Sequence, residues 1–234
     1  RWSPDGRRIA AANTGEDRVS LLVVDVESGL ARELTHTPLN ATMGAPCAWM
    51  PDGARLLCRL VPEGRGAEPV RPRVPVGPTI QEAGGNAAPV RTYQDLLQDA
   101  HDEALFDYYF TSQLAIVNVV TGSVVTIGEP GIIDNVEPSP NGEFLLVTRT
   151  VRPYSYLVPL TAFPKVIEVW DTKGRVVHEL ASLPLAEGVP IGGVRTGPRA
   201  VSWQALAPAT LVWAEALDGG DPRRKVQHRD RILA

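Results

Sequence analysis

The chain has 234 residues, 44% of them hydrophobic and 21% charged, a balance that suits folded cores and excludes disorder of the whole. With 23 basic against 27 acidic residues the formal net charge is −4, which leaves no electrostatic footprint for nucleic acid or an anionic membrane surface. No apolar run approaches the roughly 20 residues of a membrane-spanning helix, and Arg1 begins no signal-peptide pattern.

The 21 prolines and 21 glycines favour many short strands joined by turns, and the first turn stands at the start, in Trp2-Ser3-Pro4-Asp5-Gly6. Proline presets φ for a turn, Asp or Asn suits the next position, and Gly accepts the left-handed conformation that closes a three-residue hairpin loop. The apolar exit Arg8-Ile9-Ala10-Ala11 follows, then a second hairpin, "LLVVDVESGLARELT", turning at Gly29. The phrase recurs as Trp49-Met50-Pro51-Asp52-Gly53 and as Pro138-Ser139-Pro140-Asn141-Gly142. Each copy is again followed by a second hairpin, "LAIVNVVTGSVVTIG" with Gly122 and "VIEVWDTKGRVVHEL" with Gly174. Val201-Ser202-Trp203-Gln204-Ala205 is a worn fourth copy.

Two hairpins make four strands, and a four-stranded unit repeated radially is a β-propeller blade. The fold class is therefore all-β, a propeller of four-stranded antiparallel blades with one helical insertion; a β-sandwich would also show short strands but leaves the repeated two-turn phrase unexplained. The blades fall at about 1–46, 47–132, 133–199 and, in part, 200–234. Three blades and part of a fourth are fewer than a closed ring needs, so the chain reads as a fragment, expected to be unstable or prone to aggregation on its own.

From turn proline to turn glycine the spacing is 25 residues in the first blade, 71 in the second and 34 in the third. The second and third blades thus carry insertions of about 46 and 9 residues between their second and third strands, the larger within 62–112. Residues 62–91 are Pro/Gly-rich and read as an extended loop. In "TYQDLLQDAHDEALFDYY" the period changes: Tyr93, Leu96, Leu97, Ala100, Ala104, Leu105 and Tyr108 recur at helical spacing, and Thr92 with Asp95 has the form of a capping box.

His36, His101, His178 and His228 lie 50 or more residues apart without zinc-ligand spacing, so no metal or other cofactor is expected. Asp99, Asp102 and Glu103 beside His101 decorate the polar face of the expected helix, and "DGGD" at 218–221 reads as a turn. A three-residue loop at 51–53 pairs Met50 with Ala54 and Cys47 with Leu57, which points Cys58 to the opposite face and disfavours a Cys47–Cys58 disulfide. The same register sets Trp2 opposite Arg8 and Trp49 opposite Arg55, in reach of cation–π contact.

From Thr92 onward, "RTYQDLLQDAHDEALFDYYFTSQLAIV", "VEPSPNGEFLLVT", "RPYSYLVPLTAFPKVIEVWD", "LPLAEGVPI" and "LVWAEALDGGDP" resemble the N-terminal propeller of the bacterial and plastid glutamyl endopeptidases, within the prolyl oligopeptidase family. The turn repeats alone would also fit TolB-type propellers, which bind protein partners without catalysis. The resemblance departs at Asn141, where the turn usually carries Asp, and at the fourth repeat, which has lost its Pro-Asp-Gly. It implies a serine peptidase in which the propeller is followed by a C-terminal α/β-hydrolase domain carrying Ser, Asp and His. The propeller would cover the active site, admit peptide substrates and lend contacts to them.

No G-x-S-x-G elbow occurs in these residues, so no catalytic residue is assigned here. Cleavage after glutamate requires a cation near the acidic side chain, because an unpaired buried carboxylate is costly. Arg152 in "RPYSYLVP" is the leading candidate, with Arg149 second and Tyr154 and Tyr156 beside it. The competing reading has Arg152 paired within the propeller and both tyrosines packed under the loop. The compartment stays open among cytoplasm, periplasm and plastid.

Overall fold

The computed structural model describes residues 1–73 and 93–234. Three strands, β1 (Arg8–Thr14), β2 (Val19–Asp25) and β3 (Ala31–Glu33), form a first antiparallel sheet, and an isolated bridge from Trp2 to Ile9 adds an inner edge. A seven-stranded sheet follows, made of β4 (Cys47–Trp49), β5 (Arg55–Leu60), β6 (Thr111–Asn118), β7 (Val124–Pro138), β8 (Phe144–Thr150), β9 (Lys165–Asp171) and β10 (Val176–Leu183), neighbours in that order. Strand β7 serves two blades: residues 124–132 pair with β6, residues 132–138 with β8. A last sheet holds β11 (Arg199–Trp203), β12 (Leu211–Ala216) and β13 (Asp230–Leu233). The architecture is that of β-propeller blades, as the repeats predict.

Between blades the strands are buried on both faces, so β5 reads as an almost unbroken apolar run instead of an alternation. Leu56 and Cys58 pack with Ala10, Leu21 and Val23 toward the first blade. Leu57 packs with Met50, Ile133, Leu145 and Trp170 toward the third. Leu146, Ile167 and Leu183 meet Val201, Trp203 and Leu211 of the last sheet.

The repeated turns are alike in detail. In each, the first residue's N–H bonds the carbonyl five positions on: Ser3 to Arg8, Met50 to Arg55 and Ser139 to Phe144, all at 2.8 Å. Gly6, Gly53 and Gly142 sit at φ +70, +65 and +71, the left-handed region that proline-led turns leave for glycine.

These bonds make the loop one residue longer than expected, and that correction moves the register. Met50 faces Arg55, not Ala54, and Cys47 faces Cys58 directly. The two cysteines therefore share a face and form a disulfide, contrary to the expectation that they point apart. The same shift sets Trp2 opposite Ile9 and Trp49 opposite Leu56, so neither tryptophan meets the arginine predicted for it.

All these turns lie at one end of the blades. The other end carries the long segments: the connections 34–46, 184–198 and 217–229, the described parts 61–73 and 93–110 of the insertion between β5 and β6, and the insertion 151–164 between β8 and β9.

The helix lies in the larger insertion but is shorter than its periodicity predicts. Helix α1 (Ala100–Phe110) starts seven residues after Tyr93. Asp99 caps it, accepting from the N–H groups of His101 (2.9 Å) and Asp102 (3.0 Å), while Asp95, at φ +56, cannot lie in a helix. Thr92 of the expected capping box, and residues 74–91 of the Pro/Gly-rich loop, lie outside the described residues. "DGGD" is a turn, as expected, yet its Asp218 is buried and bonded by Arg229 at 2.8 and 3.0 Å.

Candidate functional site

Helix α1 and the insertion 151–164 meet at the loop end around an aromatic cluster. Phe106, on the inner face of the helix, packs edge-on against Tyr154 and Phe163 with ring centroids 4.9 and 5.9 Å away, and Tyr154 stacks on Phe163 at 5.4 Å. Three aromatic rings removed from water hold two insertions together that no sheet joins.

Polar contacts over this cluster fix two of the four residues singled out in the sequence, Arg152 and Tyr154. Arg152 bonds Asp107 at 2.6 Å and also Glu103, and its guanidinium lies 4.5 Å from the Tyr154 ring centre. These carboxylates hold its charge more firmly than that of a free arginine. The Tyr154 hydroxyl donates to Asp107; burial first, and that bond second, push its titration well above the usual tyrosine range. Tyr156 is shifted the same way by burial and then by Glu103. Arg149 stands apart on β8, where it grips buried Glu168 with two bonds of 3.0 Å while the Trp170 indole donates to the same carboxylate at 2.9 Å.

The four residues are thus brought to one end but not to one point, and both arginines are already neutralised. Arg71 bonds Asp99 (2.7 Å) and Asp102 (3.3 Å) on the same helix. Around α1, four carboxylates face two guanidinium groups, so the neighbourhood is acidic in balance.

A second cluster at the same end has the opposite balance. Arg59, buried within β5, donates to four carbonyls: Met43 (2.9 Å), Ala45 (2.8 Å), Ile133 (3.1 Å) and Asp134 (3.5 Å). Lys165 bonds the Asp134 carboxylate and the Thr150 hydroxyl, which itself donates to Asp134 at 2.7 Å. Arg195 donates through Nη2 to the carbonyls of Ala162 (3.0 Å), Phe163 (2.7 Å) and Pro184 (2.7 Å). Burial pulls the titration of Arg59, Lys165 and Arg195 down, and Asp134 is the carboxylate that counters it in all three cases.

Reading the sequence missed this basic cluster. Arg59 did leave a signal, a charged residue inside the apolar run "RLLCRL", whereas Arg195 sits in a glycine-rich connection with nothing to mark it.

Beside Arg195 lies a cavity of about 470 Å³ lined by Leu157, Val158, Pro159, Val189, Ile191 and Glu187 among others. Its size suits a side chain or a short peptide stretch. Among the described residues no group of His, Cys, Asp and Glu is arranged to hold a metal ion, and no helix is long and apolar enough to cross a membrane. The chemistry on offer is binding: cations, carboxylates, aromatic rings and apolar walls.

No protein-family model matches the chain. It is 42% identical over 99% of its length to the "Probable glutamyl endopeptidase, chloroplastic" of Oryza sativa subsp. japonica, and equally so to the protein of the same description in Arabidopsis thaliana. The chain spans about a quarter of the length of these relatives, 26% and 25%. Among solved structures it is similar to the acylaminoacyl peptidase of Pyrococcus horikoshii, with a TM-score of 0.52 at 15% identity, covering 99% of this chain and 29% of that one. It is similar also to the β-propeller domain of the Trilobed protease from Pyrococcus furiosus, with a TM-score of 0.50 at 12% identity, covering 98% and 51%. The two structures support the fold, and the plant proteins bear out the resemblance along nearly the whole chain.

Proposed function

We propose, from the premise that this chain is related along its length to the glutamyl endopeptidases, that it is part of the propeller domain of a serine-type peptidase. In this reading a C-terminal α/β-hydrolase domain supplies the Ser-His-Asp chemistry, and the loop end of the propeller faces it, admits peptides and cleavage follows glutamate. The 42% identity over 99% of the chain, to relatives about four times as long, carries the reading. The unequal ends support it: tight turns offer no surface to shape, whereas two insertions and three long connections build clefts.

Arg149 and Arg152 are assigned a shaping role, because Glu168, Glu103 and Asp107 already occupy their guanidinium groups. A second carboxylate brought to either would have to displace a bonded one.

The test is made on the full-length protein. A fluorophosphonate should label one serine, and the labelled protein should lose hydrolysis of end-blocked peptides containing Glu. A full-length protein that takes no label and cleaves no peptide overturns the reading.

A further inference from the structure

We infer that Arg195 and the cavity beside it form the binding site for an acidic side chain of a peptide substrate, with apolar neighbours of that residue lying along the walls. The inference deepens the peptidase reading and rests on it for the word substrate. Arg195 differs from the other two arginines considered. Its Nη2 is spent on three carbonyls, which orient the group but leave its charge unneutralised. Nε is buried with no partner, and Nη1 makes no hydrogen bond among the described residues. No carboxylate of the described residues lies within ion-pair distance. Asp134, whose field reaches it, already bonds Lys165 and Thr150.

A half-buried guanidinium without a counterion is a standing cost that an incoming carboxylate relieves. Lys165, bonded to Asp134, lies within the field of the same guanidinium. The walls supply the rest of a peptide site: Leu157 and Ile191 are more than half exposed, and Val158 and Val189 continue the apolar lining. Glu187, also on the wall, accepts the Ser155 hydroxyl, which ties one oxygen without cancelling its charge, so the incoming carboxylate must meet Arg195 on the side away from it. The predicted recognition is therefore of a carboxylate set in an apolar sequence, held through Nη1 in a cation that is oriented before the ligand arrives.

The test compares the end-blocked peptides Leu-Val-Glu-Val-Leu and Leu-Val-Gln-Val-Leu on the full-length protein. Arg195→Gln should lower kcat/KM for the Glu peptide about tenfold or more and leave the Gln peptide within about twofold. Arg195→Lys, which keeps the charge but not the fork, should restore part of the preference. A purely structural role for Arg195 would reduce both peptides alike or leave their ratio unchanged, and either result overturns the site while the peptidase reading stands. If the wild-type protein takes no fluorophosphonate and cleaves neither peptide, the peptidase reading falls and binding decides. Tighter binding of the Glu peptide, lost in Arg195→Gln, upholds the site; equal or absent binding of the two peptides overturns it.

Discussion

The two ends of the blades are built by different means. At the turn end each repeat closes a local set of polar contacts, Ser3 Oγ donating to Asp5 and accepting from the Arg8 N–H, and Ser139 Oγ doing the same with Asn141 and Phe144, while Arg32 to Val120 and Arg8 to Gly53 tie neighbouring blades together. Asp25, Asn118 and Asp171 likewise accept from N–H groups two to four residues on. At the loop end the contacts span the chain. Arg59 reaches Ile133 across 74 residues, Asn40 reaches Thr111 across 71, and Arg152 reaches Glu103 across 49. The turn end thus adds blade-to-blade bonds to turns already closed locally, whereas the loop end takes its clamps mainly from segments far apart in the chain.

The sharpest way to separate the ends is to remove the buried clamp of the loop end. Arg59→Met keeps the aliphatic stem but leaves the Ile133 carbonyl without this donor in a buried site, and those of Met43 and Ala45 without it in part-buried ones. At about 1–3 kcal/mol for a buried group left unsatisfied and less for the two part-buried ones, the loss should come to roughly 2–5 kcal/mol. In the full-length protein, calorimetry should show the propeller transition lowered by about 10 °C. Hydrogen exchange should rise at residues 43–46 and 132–134 and stay unchanged at the Pro-Asp-Gly turns. Equal loss of protection at both ends would break the comparison.

The same contrast explains what was legible in the residues. Turn chemistry is local, so Pro4-Asp5-Gly6 and its copies announce hairpins, and their recurrence announces blades. The register, however, turned on whether the loop held three residues or four, which Pro-Asp-Gly alone does not decide, and with it went the Cys47–Cys58 pairing. Helical spacing from Tyr93 concealed a later start because Asp99, a stronger cap, competes with any earlier one. The partners of Arg152 and Arg195 depend on how insertions from different blades meet, and no local pattern encodes that. Arg59 was the exception, marked by its own misfit inside an apolar strand.

A smaller test acts on the turn end. Ser139 is fully buried and its hydroxyl accepts the Phe144 N–H at 3.0 Å. In the second copy Met50 replaces the serine, and Asp52 accepts the corresponding Arg55 N–H at 3.0 Å instead. Asn141 can take over in the same way, so Ser139→Ala should cost only about 1 kcal/mol, read from the denaturant midpoint of the full-length protein. The added double change Ser139→Ala with Asn141→Ala removes both acceptors and should cost more than the sum of the single changes. Additivity would show that the turn end is not buffered by its side chains.

The smallest effect separates the ends by pH. At the turn end the carboxylates of Asp5, Asp25, Asp52 and Asp171 accept local N–H bonds and are held below the ordinary range, which at Asp52 happens despite burial. A carboxylate depressed in the folded state adds stability above its unfolded value near 4, lost as pH falls through the lower folded value. Tyr154 at the loop end is shifted upward by burial and by its bond to Asp107, so its contribution is complete below the unfolded value near 10 and is lost as pH rises through the folded one. Acidification should therefore loosen both ends, because Asp99, Asp218 and Asp221 at the loop end are held low as well, whereas alkali should first loosen the contact between α1 and residues 151–164. Tyr154→Phe keeps the ring stacking on Phe163 but has no proton to lose. It should flatten the alkaline response and leave the acid response untouched, whereas an unchanged alkaline response would mean that Tyr154 does not govern the stability of that end.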